Sequence, residues 1–332
     1  MGEFDLIAHY FQRPARRAAL GIGDDCALLT PTPGHQLAIS SDMLVSGRHF
    51  FADVDPNALG HKSLAVNLSD LAACGARPVA FTLALSLPHA NESWLAPFSQ
   101  GLLALADAFD CELIGGDTTQ GPLNICITVF GEVPVAQGCS LALLRSGARA
   151  GDDLYVSGTL GDARLALDAL LGKITLPAEI LAVARQRLEM PTPRVALGVA
   201  LRGVASAAID VSDGLLGDLG HILKMSGVGA TVQVGKATQL IATDPLFTWS
   251  REQFDAQTLA SYRRTLALAG GDDYELLFTA APDQRAAVAA AAQASQTPVT
   301  RIGQIDAASG LRLLDAQGQP VENTFVSFDH FG

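Results

Sequence analysis

An α/β (α+β) fold in two domains is the architecture that this 332-residue chain predicts, on three observations. Strand-like and helix-like segments alternate along the chain, a pattern that packs helices against sheets in layers. With 49% hydrophobic residues, the chain carries enough apolar side chain for two packed cores. Near residue 145 the pattern restarts, in RSGARAGDDLYVSGTLGDARLALDALLG, with a Gly-rich link before a new strand and helix. The domains are therefore expected at 1–144 and 145–332.

Taken in order, HKSLAVNLSDLAACGA predicts a helix from about His61 to Cys74, stopped at Gly75 and followed by Pro78. TLALSLP, from Thr82, is a strand. NESWLAPFSQGLLALADAF predicts a helix capped by Asn91. CELIGG is a short strand leading into Asp117, and NICITVFGEV, from Asn124, alternates as a strand does. Past the link come a strand at Leu154 to Ser157, a glycine turn and a helix after Asp162. A strand from Ala205 to Val211, a helix from about Leu215 and a strand from Tyr274 to Thr279 continue the alternation. An Ala-rich helix from Asp283 and strands around Val299 to Ile305 and Leu311 to Leu314 close it.

The net charge of -12 and the lack of any Lys/Arg-rich run exclude a phosphate-backbone binder, so no nucleic acid is expected. Five cysteines form neither a CxxC pair nor a zinc-like spacing with the seven histidines, and read as reduced core residues. MGEFDLIAHYF carries early acids and no long apolar run, so the expectation is a soluble, cytoplasmic protein with no membrane segment.

Five places set aspartate beside glycine or a small hydroxyl residue, next to an apolar segment. They are GIGDDCALL (Asp24, Asp25), ISSDMLVSGRHF (Ser40, Ser41, Asp42), NLSDLAACG (Ser69, Asp70), IGGDTTQG (Asp117, Thr118) and IDVSDG (Asp210, Ser212, Asp213). Any one of them alone is ordinary turn and cap chemistry. Asp70 lies inside a predicted helix with Ser63 and Asn67 on the same face, although a solvated face has the same spacing. Asp210 ends an apolar strand, and Asp213 follows three residues later. Carboxylates gathered by a fold repel, so they keep protons or hold cations, and all-oxygen ligands favour magnesium, calcium or manganese.

A phosphate ligand would have to be held without the usual cradles. There is no GxxxxGK[ST], no GxGxxG after a strand and no kinase catalytic-loop signature. Backbone amides at Gly21 to Gly23, at Gly115 and Gly116, and at Gly158 to Gly161 are the candidates, the last at a helix start. Arg145 is a candidate cation or else a solvated linker charge. His49, seven residues after Asp42, is a candidate for the same site or a half-buried loop residue.

In sequence order, GIGDDCALL, ISSDMLVSGRHF, AVNLSDLAACGARP, LIGGDTTQGPL, RSGARAGDDLYVSG, AIDVSDGLLGDLGHI and GGDDYELLF resemble the thiamine-monophosphate kinases throughout the chain. The wider set is the family of aminoimidazole ribonucleotide synthetase and selenophosphate synthetase. The resemblance implies two α/β domains of the aminoimidazole ribonucleotide synthetase type, with N-terminal sheets pairing into a barrel across a homodimer. Residues 1–144 would bind ATP and Mg2+ and dimerise, and 145–332 would complete the nucleotide and substrate cleft. It implies that ATP and thiamine monophosphate give ADP and thiamine diphosphate, with several Mg2+ ions.

Position by position, Asp25, Ser40, Ser41, Asp42, Asp70, Asp117, Asp210 and Asp213 match the family's magnesium ligands. Gly116, Asp117, Arg145 and Ser212 are assigned to ATP, and His49, Asp272 and Phe328 to the thiamine phosphate. The chemistry suits these residue types. A phosphate monoester with a second pKa of about 6 is mostly dianionic at neutral pH and attacks without a general base, so no catalytic side chain is expected. What remains is charge neutralisation and in-line placement. The alternatives are another ATP-dependent synthetase of the superfamily, a non-catalytic metal or nucleotide sensor, and a magnesium-dependent phosphohydrolase.

Overall fold

The computed structural model describes residues 2–243, 250 and 253–328. The chain divides into two compact units, Met1–Leu71 with Ala76–Ala142, and Ala72–Gly75 with Leu143–Gly332. The first unit runs α1 (Glu3–Tyr10), β1 (His35–Val45), α2 (Pro56–Ala73), β2 (Arg77–Leu87), α3 (Glu92–Ala108), β3 (Glu112–Gln120), β4 (Asn124–Ala136) and the short β5 (Cys139–Ser140). Its sheet has the order β1-β4-β2-β3, antiparallel except between β2 and β3, with β5 added against β4.

α2 starts five residues before the expected His61. Pro56 takes the first helical position, where its missing N–H costs nothing, and the Asp55 carboxylate accepts the Ala58 amide at 3.0 Å. Gly60 obscured this turn in the sequence, and the structure explains it. A Cβ on Gly60 would lie 2.1 Å from the Phe98 carbonyl oxygen, and one on Gly101 would lie 1.9 Å from that of Asn57. The backbones of α2 and α3 thus touch where both side chains are hydrogen. α3 begins as expected, with Asn91 accepting the Ser93 amide at 3.0 Å. β2 starts at Arg77 rather than Thr82, because Pro78 sits beside a register shift in the β2–β4 pairing, where a missing donor is tolerated.

The second unit contains β6 (Asp153–Ser157), α4 (Asp162–Leu170), α5 (Ala178–Glu189), α6 (Val195–Ala200), β7 (Ala207–Val211), α7 (Leu215–Ser226) and β8 (Gly229–Gln233). It continues with α8 (Val234–Thr238), α9 (Ala256–Ala269), β9 (Glu275–Ala280), α10 (Arg285–Ala294), β10 (Val299–Asp306), β11 (Gly310–Leu314) and β12 (Pro320–Val321). The sheet order is β12-β11-β8-β10-β6-β9-β7, with only β8 and β11 parallel. Every residue of β6, β7 and β9 is buried, so these strands show no alternation of apolar and polar positions, and the few polar residues in them, Asp210 and Glu275 among these, are buried as well. Leu154, Val156, Ile209, Val211, Leu219, Ile222 and Leu277 form the core that fixes the end of β7.

One expectation about the cysteines is corrected. All five are free thiols, but only Cys111 is buried, whereas Cys26 and Cys139 are exposed at loop and edge positions. Among the described residues, no helix is long and apolar enough to cross a membrane.

Candidate active site

In the first unit the period of two along β1 decides which residues meet. Ser40, Asp42 and Leu44 share the more buried face, and Leu37, Ile39, Ser41 and Met43 share the exposed one. α2 presents Ser63, Asn67 and Asp70 to the inner face. Ser63 and Asn67 are each only 1% exposed, so this face of the helix is not solvated. The Asp42 amide donates to Asn67 Oδ1 at 3.1 Å, Asn67 Nδ2 to the Ser63 carbonyl at 3.1 Å, and Ser40 Oγ to Asp70 Oδ2 at 2.5 Å. Burial first, then the charge of Asp70 and a hydrogen bond with it, push the Asp42 carboxyl up to about 7.

Ser40, Asp42 and Asp70 are therefore one constellation. The Ser41 side chain lies on the opposite face, paired with Thr128 Oγ1 at 2.9 Å across β4. Asp117 is exposed on β3, with β4 and β2 between it and β1, so the register of this unit does not join it to the Asp42 pair. Gly116 before it has φ +143, and a Cβ there would lie 1.9 Å from the Leu83 carbonyl oxygen, so only glycine fits. Asp25 stands exposed in the turn bridged by Leu20 and Leu28, its amide donating to Asp24 Oδ1 at 2.9 Å. His49 folds back on the end of β1, where its Nδ1 accepts the Val45 amide at 3.0 Å. A neutral imidazole held this way carries its proton on Nε2.

In the second unit β7 delivers Asp210, 5% exposed, to the turn of Ser212, Asp213 and Gly214. The turn is held from behind by Asp218 in the first turn of α7. Asp218 Oδ2 accepts the amides of Ser212, Asp213 and Gly214 at 3.1, 3.2 and 3.2 Å. Burial, followed by the charges of Asp210 and Asp213, pushes the Asp218 carboxyl up to about 7. Two further segments attach to the same turn. The Asp272 amide donates to the Ser212 carbonyl at 2.8 Å, and the Phe328 amide to the Asp213 carbonyl at 3.1 Å. Four expected residues, Ser212, Asp213, Asp272 and Phe328, are thus gathered by backbone hydrogen bonds at the end of the strand that carries Asp210. Phe328 is 47% exposed. Arg145 is exposed, and its carbonyl accepts Ser226 Oγ at 3.3 Å, which leaves the guanidinium out of that hydrogen bond.

Sequence reasoning missed a second set of groups. The amides of the Gly158 to Gly161 turn do not await an outside anion, because Thr159 donates to Glu275 at 3.4 Å and Gly161 to Asp273 at 2.8 Å. Glu275 is fully buried and receives Arg194 Nε and Nη2, both at 2.6 Å, Arg187 Nη2 at 2.8 Å and Ser157 Oγ at 2.6 Å. Burial holds the neighbouring Asp273 carboxyl well above its usual range. The signal in the sequence was the acidic DDYE run alone, because its partners Arg187 and Arg194 are too distant along the chain to pair by spacing. Asp218 had a local signal, an acid in the first turn of a helix after a glycine turn.

Among the described residues, no group of three or more His, Cys, Asp or Glu side chains is preformed around a metal position.

Residues 23–133 match the model of the N-terminal domain of AIR synthase related proteins, and residues 149–315 match that of the C-terminal domain. Both units thus have the fold of that class. The thiamine-monophosphate kinase of Salmonella typhimurium is 47% identical, over 99% of this chain and 98% of its own length. That of Haemophilus influenzae is 42% identical over 100% and 98%. The crystal structure of thiamine-monophosphate kinase from Stenotrophomonas maltophilia superposes with a TM-score of 0.80 at 46% identity, covering 96% of each chain. AaThiL, solved in complex with AMPPCP and TMP, superposes with a TM-score of 0.75 at 29% identity, over 91% of this chain and 89% of that one. The chain belongs to the thiamine-monophosphate kinase family.

Proposed function

We propose that this chain transfers the terminal phosphoryl group of ATP directly to the phosphate of thiamine monophosphate, giving ADP and thiamine diphosphate. The bond from the β,γ-bridging oxygen to the γ-phosphorus breaks, and a bond from an acceptor phosphate oxygen to that phosphorus forms. The observation that carries the reading is a pair of carboxylate constellations, Asp42 with Asp70 and Asp210 with Asp213 and Asp218. In each, one carboxyl is pushed to about 7 by burial and its neighbours. Full-length identity to thiamine-monophosphate kinases and a relative solved with AMPPCP and TMP support it.

The residues divide the work. Asp42, Asp70 and Asp210, with Asp25, Ser40, Asp117 and Asp213, would hold magnesium, which when bound neutralises the phosphate oxygens of two mutually repelling anions, and Ser41, whose side chain lies on the opposite face of β1, would join them only through its backbone carbonyl. The all-oxygen donor set and the raised carboxyl groups fit a hard divalent cation. Asp218 fixes the amides of Ser212 and Asp213, so the nucleotide contact at Ser212 is preorganised. Gly116, Asp117 and Arg145 would complete the ATP contacts. His49, Asp272 and Phe328 would face the acceptor, with the ring of Phe328 over the thiazolium cation in a contact of about 1 kcal/mol. The dianionic acceptor supplies its own nucleophile, so no side chain acts as base.

Each unit contributes its own carboxylates, the first as the ATP, magnesium and dimerisation domain and the second completing the nucleotide and substrate contacts. For the homodimer, the support is the outer face of the edge strand β1, where Leu37, Ile39 and Met43 are 38%, 60% and 56% exposed on alternate positions that also include Ser41. Two such sheets closing on each other would bury this face and form the barrel.

The test is ADP release from ATP and magnesium with thiamine monophosphate, thiamine, an aminoimidazole precursor or no acceptor in parallel. ADP matched one to one by thiamine diphosphate, only with thiamine monophosphate, is expected. Turnover without acceptor would identify a phosphohydrolase, turnover with the aminoimidazole precursor another synthetase, and none with any acceptor a sensor.

A further inference from the structure

The turn that carries Asp272 is strained and heavily restrained. Gly271, Asp272 and Tyr274 have φ of +73°, +59° and +50°, and for the two side-chain-bearing residues this conformation persists only where the surroundings impose it. Three backbone amides provide part of that restraint. Asp272 donates to the Ser212 carbonyl and Tyr274 to the Val211 carbonyl, both at 2.8 Å, while Asp273 Oδ1 takes the Gly161 amide. The Asp273 carbonyl faces α5, where Arg187 Nη2 donates to it at 3.1 Å. The same nitrogen donates to Glu275 Oε1 at 2.8 Å. Glu275 is itself fully buried and held by the two-pronged grip of Arg194. Arg187 therefore ties the middle of the turn to a fixed point at the start of β9. Within the turn, Tyr274 donates its hydroxyl to Asp272 Oδ1 at 3.2 Å.

We propose that Arg187 is a positioning residue for acceptor binding: by holding the Asp273 carbonyl it fixes the 271–274 turn, and with Tyr274 it sets the aim of the Asp272 carboxylate. The inference rests on the reading of Asp272 as an acceptor contact. A carboxylate there would recognise the cationic ring system of the acceptor, so a turn that drifts weakens acceptor binding and leaves ATP binding intact. Arg187 rather than Arg194 has this role because Glu275 keeps the Arg194 fork when Arg187 is lost. The charge stays paired, and the loss falls on the Asp273 carbonyl.

The experiment compares Arg187→Met, Arg187→Lys, Tyr274→Phe and Asp272→Asn, with Arg185→Met, a neighbour on α5 that pairs with Glu189, as control. Arg187→Met is expected to raise KM for thiamine monophosphate about tenfold with KM for ATP unchanged, since a small displacement of a binding group carries a large rate penalty. Arg187→Lys keeps a donor for the carbonyl and is expected to restore most of the loss, and Arg185→Met to match the unmodified chain. Tyr274→Phe removes one hydroxyl and is expected to show the same selectivity for the acceptor. It decides the matter if Arg187→Met fails to fold. An unchanged acceptor KM in Arg187→Met, or in Tyr274→Phe if that variant decides, beside a raised one in Asp272→Asn overturns the inference and leaves the Asp272 reading standing. Equal rises in both KM values, or lost thermal stability alone, overturn it as well. No effect of Asp272→Asn overturns the Asp272 reading and the inference together.

Discussion

Asp218 lies behind the turn that presents Asp213, its Oδ2 receiving the Asp213 amide at 3.2 Å while its charge opposes that of Asp213. One carboxylate thus organises the loop and raises the electrostatic cost of leaving that loop without a cation. The two effects separate by substitution. Asparagine keeps an oxygen for the amides of Ser212, Asp213 and Gly214, and alanine keeps none. Asp218→Ala is expected to lose about 100-fold in kcat/KM through the displaced loop, and Asp218→Asn about tenfold or less. Steady-state kinetics on both variants checks this, and equal losses would assign Asp218 a role through its charge alone.

The raised carboxyl groups of Asp42 and Asp218 predict how stability depends on pH. A carboxyl near 7 in the folded chain, against about 4 unfolded, binds more protons folded than unfolded between those values. Its favourable contribution is present at low pH and is lost as pH rises through 7. Without divalent cations, Tm is expected to fall between pH 5 and pH 8 on account of these groups. Magnesium should raise Tm more at pH 8 than at pH 5, since it competes with those protons. Melting curves with and without magnesium, for the unmodified chain and Asp42→Asn, check the sign, and Asp42→Asn should flatten the slope.

The exposed apolar face of β1 predicts a specific dimer lesion. Ile39, 60% exposed, lies at its centre. Ile39→Asp is expected to convert a species of twice the chain mass into one of the chain mass, without loss of secondary structure. Light scattering with circular dichroism reads both. A dimer that survives the substitution would place the interface elsewhere.

Glu275 predicts the largest stability loss. Arg194→Met removes its two-pronged partner and leaves a fully buried carboxylate with Arg187 alone, expected to cost about 3–5 kcal/mol. Chemical denaturation measures it, and a cost under about 1 kcal/mol would mean the site takes up water or a proton instead.

The parts of the fold legible in the sequence were those with local causes. Asn91 capping α3 and the Gly75 stop of α2 are caps read from neighbours along the chain. β1 was harder to see because its pattern is inverted, with Ser40 and Asp42 on the inner face and Leu37, Ile39 and Met43 outside. Motif spacing singled out Asp42, Asp70, Asp210 and Asp213 as candidates, and the structure brings the first two together and sets the last two beside Asp218. It did not find the Gly158 to Gly161 amides already filled by Asp273 and Glu275, since those carboxylates come from over 100 residues away. Nor could the 271–274 turn be read, because its left-handed residues, Asp272 and Tyr274, are held there by Arg187 and by carbonyls of the β7 turn. Tertiary hydrogen bonds leave no periodic trace.

The most direct measurement follows the phosphoryl group itself. ATP labelled in its γ-phosphate is mixed with magnesium, thiamine monophosphate and excess enzyme for a single turnover. Label appearing in the terminal phosphate of thiamine diphosphate, with none in free phosphate, and lost in Asp210→Asn, is the predicted result. Label released as free phosphate, or transfer unaffected by Asp210→Asn, would contradict it.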